Sequence, residues 1–290
     1  GVQTCALPIY LESIKETFYS QSFSSIAKRF GVSVTSIIRW FDNLNYPHPK
    51  LPECIAIDEF RGNAGGEKFQ CNIADPVKHR VIDILPSRNM ENLCKHFLEY
   101  PYKERAEVKK IVMDLSTLFR SVAKTMFPEA KIVADKFHVI RVVINSLENV
   151  RKRIQKEFHA TKRKWFKRSR YLLLKPEYKL TSEDKIELAR MLNSSYDLEK
   201  AYVLKERFYE VFRKQTRTEA KKELGNWLLL AADLSLPEFR HCITTFSNWK
   251  TEIANIIGER VSNGFIEGSN NKIKVLKRIS YGVRNFDRFR

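Results

Sequence analysis

Apolar positions in residues 10–45 recur at helical spacing. In Ser24-Ser25-Ile26-Ala27-Lys28-Arg29-Phe30-Gly31-Val32-Ser33-Val34-Thr35-Ser36-Ile37-Ile38-Arg39-Trp40-Phe41, the residues Ile26, Ala27 and Phe30 share one face. Gly31 suits the positive φ that ends a helix, and Ser33 suits the N-cap of the next. That second helix is expected to turn Val34, Ile37, Ile38 and Phe41 inward and to leave Thr35, Ser36 and Arg39 outward. Pro47-His48-Pro49-Lys50-Leu51-Pro52 then breaks the pattern and reads as a stiff linker.

Beyond the linker the period shortens. Cys54-Ile55-Ala56-Ile57-Asp58 is a short apolar run, expected to be a buried strand. Residues 68–75 and 80–85 read as two more strands joined by a hairpin at Pro76-Val77-Lys78-His79. A helix at 90–100, a strand at 108–113, a helix at 116–126 and a strand at 131–135 follow. This βββαβαβ order is that of a ribonuclease H-like mixed sheet, in which acids end the first and fourth strands; Asp58 and Asp114 fall there. From about residue 137 to 250 only helical periodicity remains, so an all-α insertion is expected before the last helix.

The expected division is 10–46 for the helical pair, 47–52 for the linker, 53–138 for the first part of an α/β core, 139–255 for the insertion and 256–290 for the closing helix. Residues 1–9 resemble the translation of a sequencing-adapter oligonucleotide and are set aside from fold reasoning. Fifty-two Lys and Arg against 34 Asp and Glu give a formal charge of +18, which favours phosphate-rich partners. No apolar stretch approaches the ~20 residues of a membrane span. Cys54, Cys71, Cys94 and Cys242 are scattered without a CxxC pair, as in a cytoplasmic protein with reduced thiols.

The chemistry concentrates in acids. Asp58 and Asp114 each close an apolar run, and Glu267 stands in Ser262-Asn263-Gly264-Phe265-Ile266-Glu267-Gly268-Ser269-Asn270-Asn271-Lys272-Ile273-Lys274. Two strand-end aspartates and a helical glutamate are the ligands that a pair of Mg²⁺ ions needs for phosphoryl transfer, with Mn²⁺ as a substitute. Glu59 alternates to the opposite face and reads as a structural or outlying acid. Any one of these acids alone is as readily a loop cap. Asp135, in Asp135-Lys136-Phe137-His138, follows an equally good strand and rivals Asp114 as the second ligand.

These pieces together resemble the DDE transposases of the bacterial insertion-sequence family ISL3. The resemblance rests on Ile57-Asp58-Glu59-Phe60, Asp114-Leu115-Ser116, the stretch from Phe127 to Val139, and Glu267 to Arg278 followed by Tyr281-Gly282-Val283-Arg284-Asn285-Phe286. It implies that Asp58, Asp114 and Glu267 are the catalytic, metal-binding triad, and that Asp135 and His138 are accessory. It also implies a zinc-binding module ahead of the helical pair and a continuation of the last motif, so both ends are expected to be truncated.

The helical pair itself resembles a helix-turn-helix, whose second helix would present Thr35, Ser36 and Arg39 to a major groove; an ordinary helical hairpin is the alternative. The densest charge lies in 151–170, with ten basic residues and one acid. There Lys162, Arg163, Lys164, Lys167 and Arg168 are expected on the DNA backbone, with interleaved aromatics either packing or stacking on bases. Lys272, Lys274, Lys277 and Arg278 are expected to hold phosphates beside the metals, and Asn270 and Asn271 to contact backbone or bases, with a cap as the alternative for one of them. The expected protein is a DNA-cleaving and strand-transferring transposase, acting on transposon ends and target as a homodimer on DNA, cytoplasmic and nucleoid-associated. The rival readings are a regulator that keeps only DNA binding and a different metal nuclease of the same fold.

Overall fold

Five strands, β1 (Cys54–Arg61), β2 (Phe69–Asp75), β3 (Arg80–Leu85), β4 (Lys110–Met113) and β5 (Lys131–Ala134), form one mixed sheet in the computed structural model of the chain. The order is β3-β2-β1-β4-β5; β1, β2 and β3 are antiparallel neighbours, and β1, β4 and β5 run parallel. The structure describes residues 3–17, 21–44, 48–62, 67–259, 261–279 and 285–290, with side chains from Ile9 onward. Pro47 of the expected linker and Tyr281–Arg284 of the closing motif lie outside the described residues.

The alternation of β1 builds two different faces. Ile55 and Ile57 enter the main core with Ile73, Ile111, Leu93, Phe97, Phe119 and Val122, beneath α4 (Met90–Leu98) and α6 (Thr117–Met126). On the other face Ala56 and Ala74 sit opposite each other in register, and α15 (Gly264–Ile279) lays Ile266 on them. Two alanines leave no side-chain bulk to hold the helix off, so the backbones approach closely. A short helix, α5 (Tyr102–Ala106), was not apparent in the sequence pattern.

The stretch between β5 and α15 is helical among its described residues: α7 (Lys136–Gln155), α8 (Ala160–Arg168), α9 (Arg170–Leu174), α10 (Ser182–Leu192), α11 (Tyr196–Tyr209), α12 (Arg217–Asp233), α13 (Arg240–Asn248) and α14 (Lys250–Ala254), with short 3-10 turns. The division expected at 138/139 falls inside α7, one continuous helix from sheet to insertion. Phe208, Trp227 and Phe246 form its aromatic centre, with the Trp227 indole N–H donating to the Leu204 carbonyl at 2.8 Å. Asn255 and Glu259 return the chain to the sheet: Asn255 donates to the Ile132 carbonyl, and Glu259 pairs with Lys110, Lys131 and Arg217.

At the amino-terminal end, α1 (Gln3–Thr17), which includes residues set aside above, packs on α2 (Phe23–Phe30) and α3 (Val34–Asp42). Gly31 ends α2 at φ 65°, and Ser33 caps α3 by accepting from the Ser36 N–H. Ile26, Ala27 and Ile37 make a separate small core. Val34, expected inward, is 39% exposed because this core closes around Ile37. Arg288, on α16 (Phe286–Phe289), pairs with Asp42 at 2.7 and 2.8 Å and ties α3 to the other end of the described chain. No described helix is long and apolar enough to cross a membrane.

Candidate active site

Parallel register stacks three acids at one level. Pairing of β1 with β4 runs to Ile57↔Met113, and pairing of β4 with β5 runs to Met113↔Ala134. The next residues are Asp58, Asp114 and Asp135, on neighbouring strands spaced about 4.8 Å apart, with Asp114 in the middle. Asp58 was expected to end its strand. Instead β1 continues to Arg61 against β2, with Asp58 opposite Asn72, and only its pairing with β4 stops there.

Asp135 is the N-cap of α7, where its carboxylate accepts from the His138 backbone N–H at 3.1 Å. The His138 Nδ1 then lies 2.9 Å from Asp135 Oδ2 and 2.8 Å from Asp114 Oδ1, so one imidazole bridges the two acids. Those bonds push the His138 pKa up to about 10, which keeps the ring cationic at neutral pH. Burial works against ionisation of Asp135, yet bonds from His138 and from the Asn263 backbone N–H outweigh it and hold this acid below its ordinary value.

Asp58 has no such partner. Its carboxylate accepts the Glu59 N–H at 2.8 Å and the Asn270 amide at 2.7 Å, and no cation pairs with it among the described residues. Burial, and next the charge of Asp114, push its pKa up to about 7. With all three acids ionised, one imidazolium faces three carboxylates. This surplus of hard oxygen donors suits a divalent cation.

The closing helix is locked over this cluster by amides. Asn263, just before α15, donates its backbone N–H to Asp135 at 3.2 Å and its side-chain amide to Asp114 at 3.5 Å. Two turns later Asn270 accepts from the Asn72 amide at 2.9 Å while donating to Asp58. Asn270 was expected on DNA. It is 4% exposed, and both ends of its amide are used inside the protein, so the structure turns it inward. Glu267 lies between the two asparagines, four residues after one and three before the other, and thus on the same side of the helix. Its side chain is exposed, without a hydrogen bond or ion pair to its carboxylate among the described residues.

Asp114, Asp135 and His138 bring ligand atoms within 4.8 Å of one another; Asp58 and Glu267 stand outside that group. A cavity of about 590 Å³ opens beside it, lined among others by Glu59, Arg88, Ser116, Phe119 and Arg141. Glu59 pairs with Arg88 at its edge. A second group, His48, Asp83 and His96, is equally close. There Arg290 already takes both carboxylate oxygens of Asp83, leaving a poor cation site. The sequence pattern gave no sign of Asn72 or Asn263, because buried asparagines carry no periodic signature.

The other expected residues lie on α3, α8 and α15. On α3, Thr35 and Arg39 are exposed, while Ser36 is half-buried with its hydroxyl 2.9 Å from that of Ser33. On α8, Arg163, Lys164, Lys167 and Arg168 are exposed and Lys162 covers the Phe158 ring. The neighbouring aromatics pack: Phe166 is fully buried against Phe158 and Trp165, and the Trp165 indole donates to Glu187. Asn271, Lys272 and Arg278 are exposed on α15, with Lys274 and Lys277 half-buried.

A sequence model of a transposase family, ISL3, matches residues 55–290, which include Asp58, Asp114, Asp135 and Glu267. The chain is 26% identical over 241 residues to the transposase for insertion sequence element IS1001 of Bordetella parapertussis, covering 82% of this chain and 59% of that protein. It is 25% identical over 254 residues to the transposase for IS1557 of Mycobacterium tuberculosis, covering 80% and 57%. The chain therefore spans under two thirds of the length of these relatives. A shorter match, 36% over 90 residues, is to an ATP-dependent protease of Lactococcus lactis and covers 31% of this chain and 24% of that protein. The chain belongs to the ISL3 family of transposases.

Proposed function

We propose that this chain carries the catalytic centre of a DDE transposase, which cuts DNA at the ends of an insertion sequence and joins the freed 3′ ends to a target. The observation that carries the reading is the buried Asp58 level with Asp114, without an ion pair among the described residues, under a helix that holds Glu267, likewise unpaired among them. We read the sheet as ribonuclease H-like, with α7 to α14 inserted between β5 and α15. In this reading Asp58, Asp114 and Glu267 hold divalent cations, Mg²⁺ by preference. Bound there, a pair of ions would supply Lewis acidity to the attacking and the leaving oxygen of a phosphodiester.

The protein's own groups prepare that site. Asn270 fixes one oxygen of Asp58, and His138 with Asn263 fixes Asp114. Asp135 has both oxygens engaged, so its role is to position His138 and the start of α15. Asp114 follows the strand next to that of Asp58, and Asp135 the strand beyond it, which supports Asp114 as the second ligand. A remnant that had kept only DNA binding would have no use for a buried acid held in so unfavourable a place. The α2–α3 pair is read as a helix-turn-helix that presents Thr35 and Arg39 to a major groove. Asn271, Lys272, Lys274, Lys277 and Arg278 meet DNA beside the acids, and the α8 cations extend the track. Joining two ends calls for two copies on DNA.

Replacing Glu267 by Gln keeps the shape of the side chain and removes its charge. We expect Mg²⁺-dependent strand cleavage to be lost while DNA affinity changes little. Cleavage near the wild-type rate would remove Glu267 from the set.

A further inference from the structure

Away from the acids, a second concavity of about 680 Å³ lies between the end of the β1–β2 hairpin where Arg61 pairs with Phe69 and the second half of α15. Arg61, Gly62, Glu67 and Lys68 form one wall, and Lys274, Lys277 and Arg278 the other. Five of these seven residues are cations and one is an acid. None of the five forms a salt bridge among the described residues, although many basic side chains elsewhere do. Burial, and then the charge of Arg61, hold Lys277 below the ordinary lysine range, so the two walls repel each other across the groove. Gathering unpaired cations from segments some two hundred residues apart costs stability unless an anion fills the space between them.

The groove stands at a defined place relative to the acids. The bond between Asn270 and Asp58 pins β1 and α15 together at one point. From Asp58 to Arg61 the strand advances about 10 Å, and from Asn270 to Lys277 the helix also advances about 10 Å. Both walls therefore lead away from Asp58 to the same depth. In duplex DNA that distance is about three steps of 3.4 Å.

We propose that this groove binds the sugar-phosphate backbone of duplex DNA about three base pairs from the bond that is cut, with Arg61 and Lys68 as contacts opposite Lys274, Lys277 and Arg278. The position of the cut bond rests on the function proposed above; the binding of DNA in the groove does not. Arg61 lies in a strand and Lys68 beside one, so neither belongs to a basic run visible in the sequence.

The test is the salt dependence of binding to a short duplex of arbitrary sequence, measured without divalent metal so that cleavage plays no part. Each lost phosphate contact lowers the slope of log K against log[salt] by about 0.9. The double variant Arg61→Gln/Lys68→Gln is expected to lose about 1.8 of slope, and each single variant about half of that. The swap Arg61→Lys/Lys68→Arg keeps the charges and should keep the slope, which guards against a folding defect in the neutral variants. An unchanged slope in a double variant that melts like the wild type overturns the proposal and leaves the groove to an acidic protein segment. A lost slope in a chain whose Glu267→Gln variant still cleaves would uphold the groove and remove Glu267 from the ligand set.

Discussion

Both α8 and α15 carry cations without an ion pair among the described residues, and the two helices are seated differently. α15 lies on the sheet through Ile266 on two alanines, and through Asn270, which is bonded to a candidate ligand. Its lysines project from a helix whose position the acids themselves fix. α8 is seated by Phe166 in the helical insertion, and none of its residues lines the cavity beside Asp114 or the groove along α15. The difference separates charge placed by the chemistry from charge placed near it. The same contrast holds within residues 151–170. Arg151 and Arg170 pair with Glu148, and Arg153 pairs with Asp197 and Glu238, so the densest basic run in the sequence is not one free surface.

Unseating each helix separates the two roles. Phe166→Ala leaves a cavity in the insertion and is expected to lower stability by about 3–5 kcal/mol, read from denaturant unfolding. Cleavage per folded molecule should survive it, since no candidate ligand depends on α8. A large loss of cleavage in the folded fraction would mean that the insertion holds the acids in place.

Asp58 gives the next largest effect. Its folded pKa of about 7 lies above the ordinary value of 3.8, so folding favours the protonated acid. That contribution is whole below about pH 4 and is lost as pH rises through 7. Without metal, the stability of Asp58→Asn relative to wild type should therefore improve between pH 4 and pH 8, by on the order of 3 kcal/mol. A constant difference across that range would show that Asp58 is not held at a cost. The α8 variants should show no such pH dependence.

Asn270→Ala removes the bond that sets α15 over Asp58. Small displacements of reacting groups cost about 100-fold in rate, and cleavage at saturating DNA should fall by about that factor. Activity within a few-fold of wild type would free Glu267 from any dependence on this bond.

How much of this was legible in the sequence depended on the kind of signal. The runs before Asp58, Asp114 and Asp135 are unbroken apolar stretches, as buried parallel strands require, and the level placement of the acids follows from their register. Gly31 and Ser33 marked the turn between α2 and α3 because both act through local backbone geometry. Contacts between distant residues left no trace. Asn270 looked like a surface amide and is buried, while Arg61 and Lys68 seemed unrelated to α15. Nothing local told Arg153, held by two acids, from Arg163, which has no ion pair among the described residues.

That last pair offers the smallest and sharpest test. Both arginines come from the same basic run, and charge counting treats them alike. Arg163→Gln should lower the slope of log K against log[salt] by about 0.9, as for one duplex phosphate contact removed. Arg153→Gln should leave the slope unchanged and cost about 1 kcal/mol of stability or less, since the pairs it breaks are partly exposed. Equal slope losses would mean that Asp197 and Glu238 release Arg153 to DNA, and the run would then act as a single patch. An unchanged slope in both variants would make α8 a solvated face and leave the backbone contacts to α15 and the hairpin opposite it.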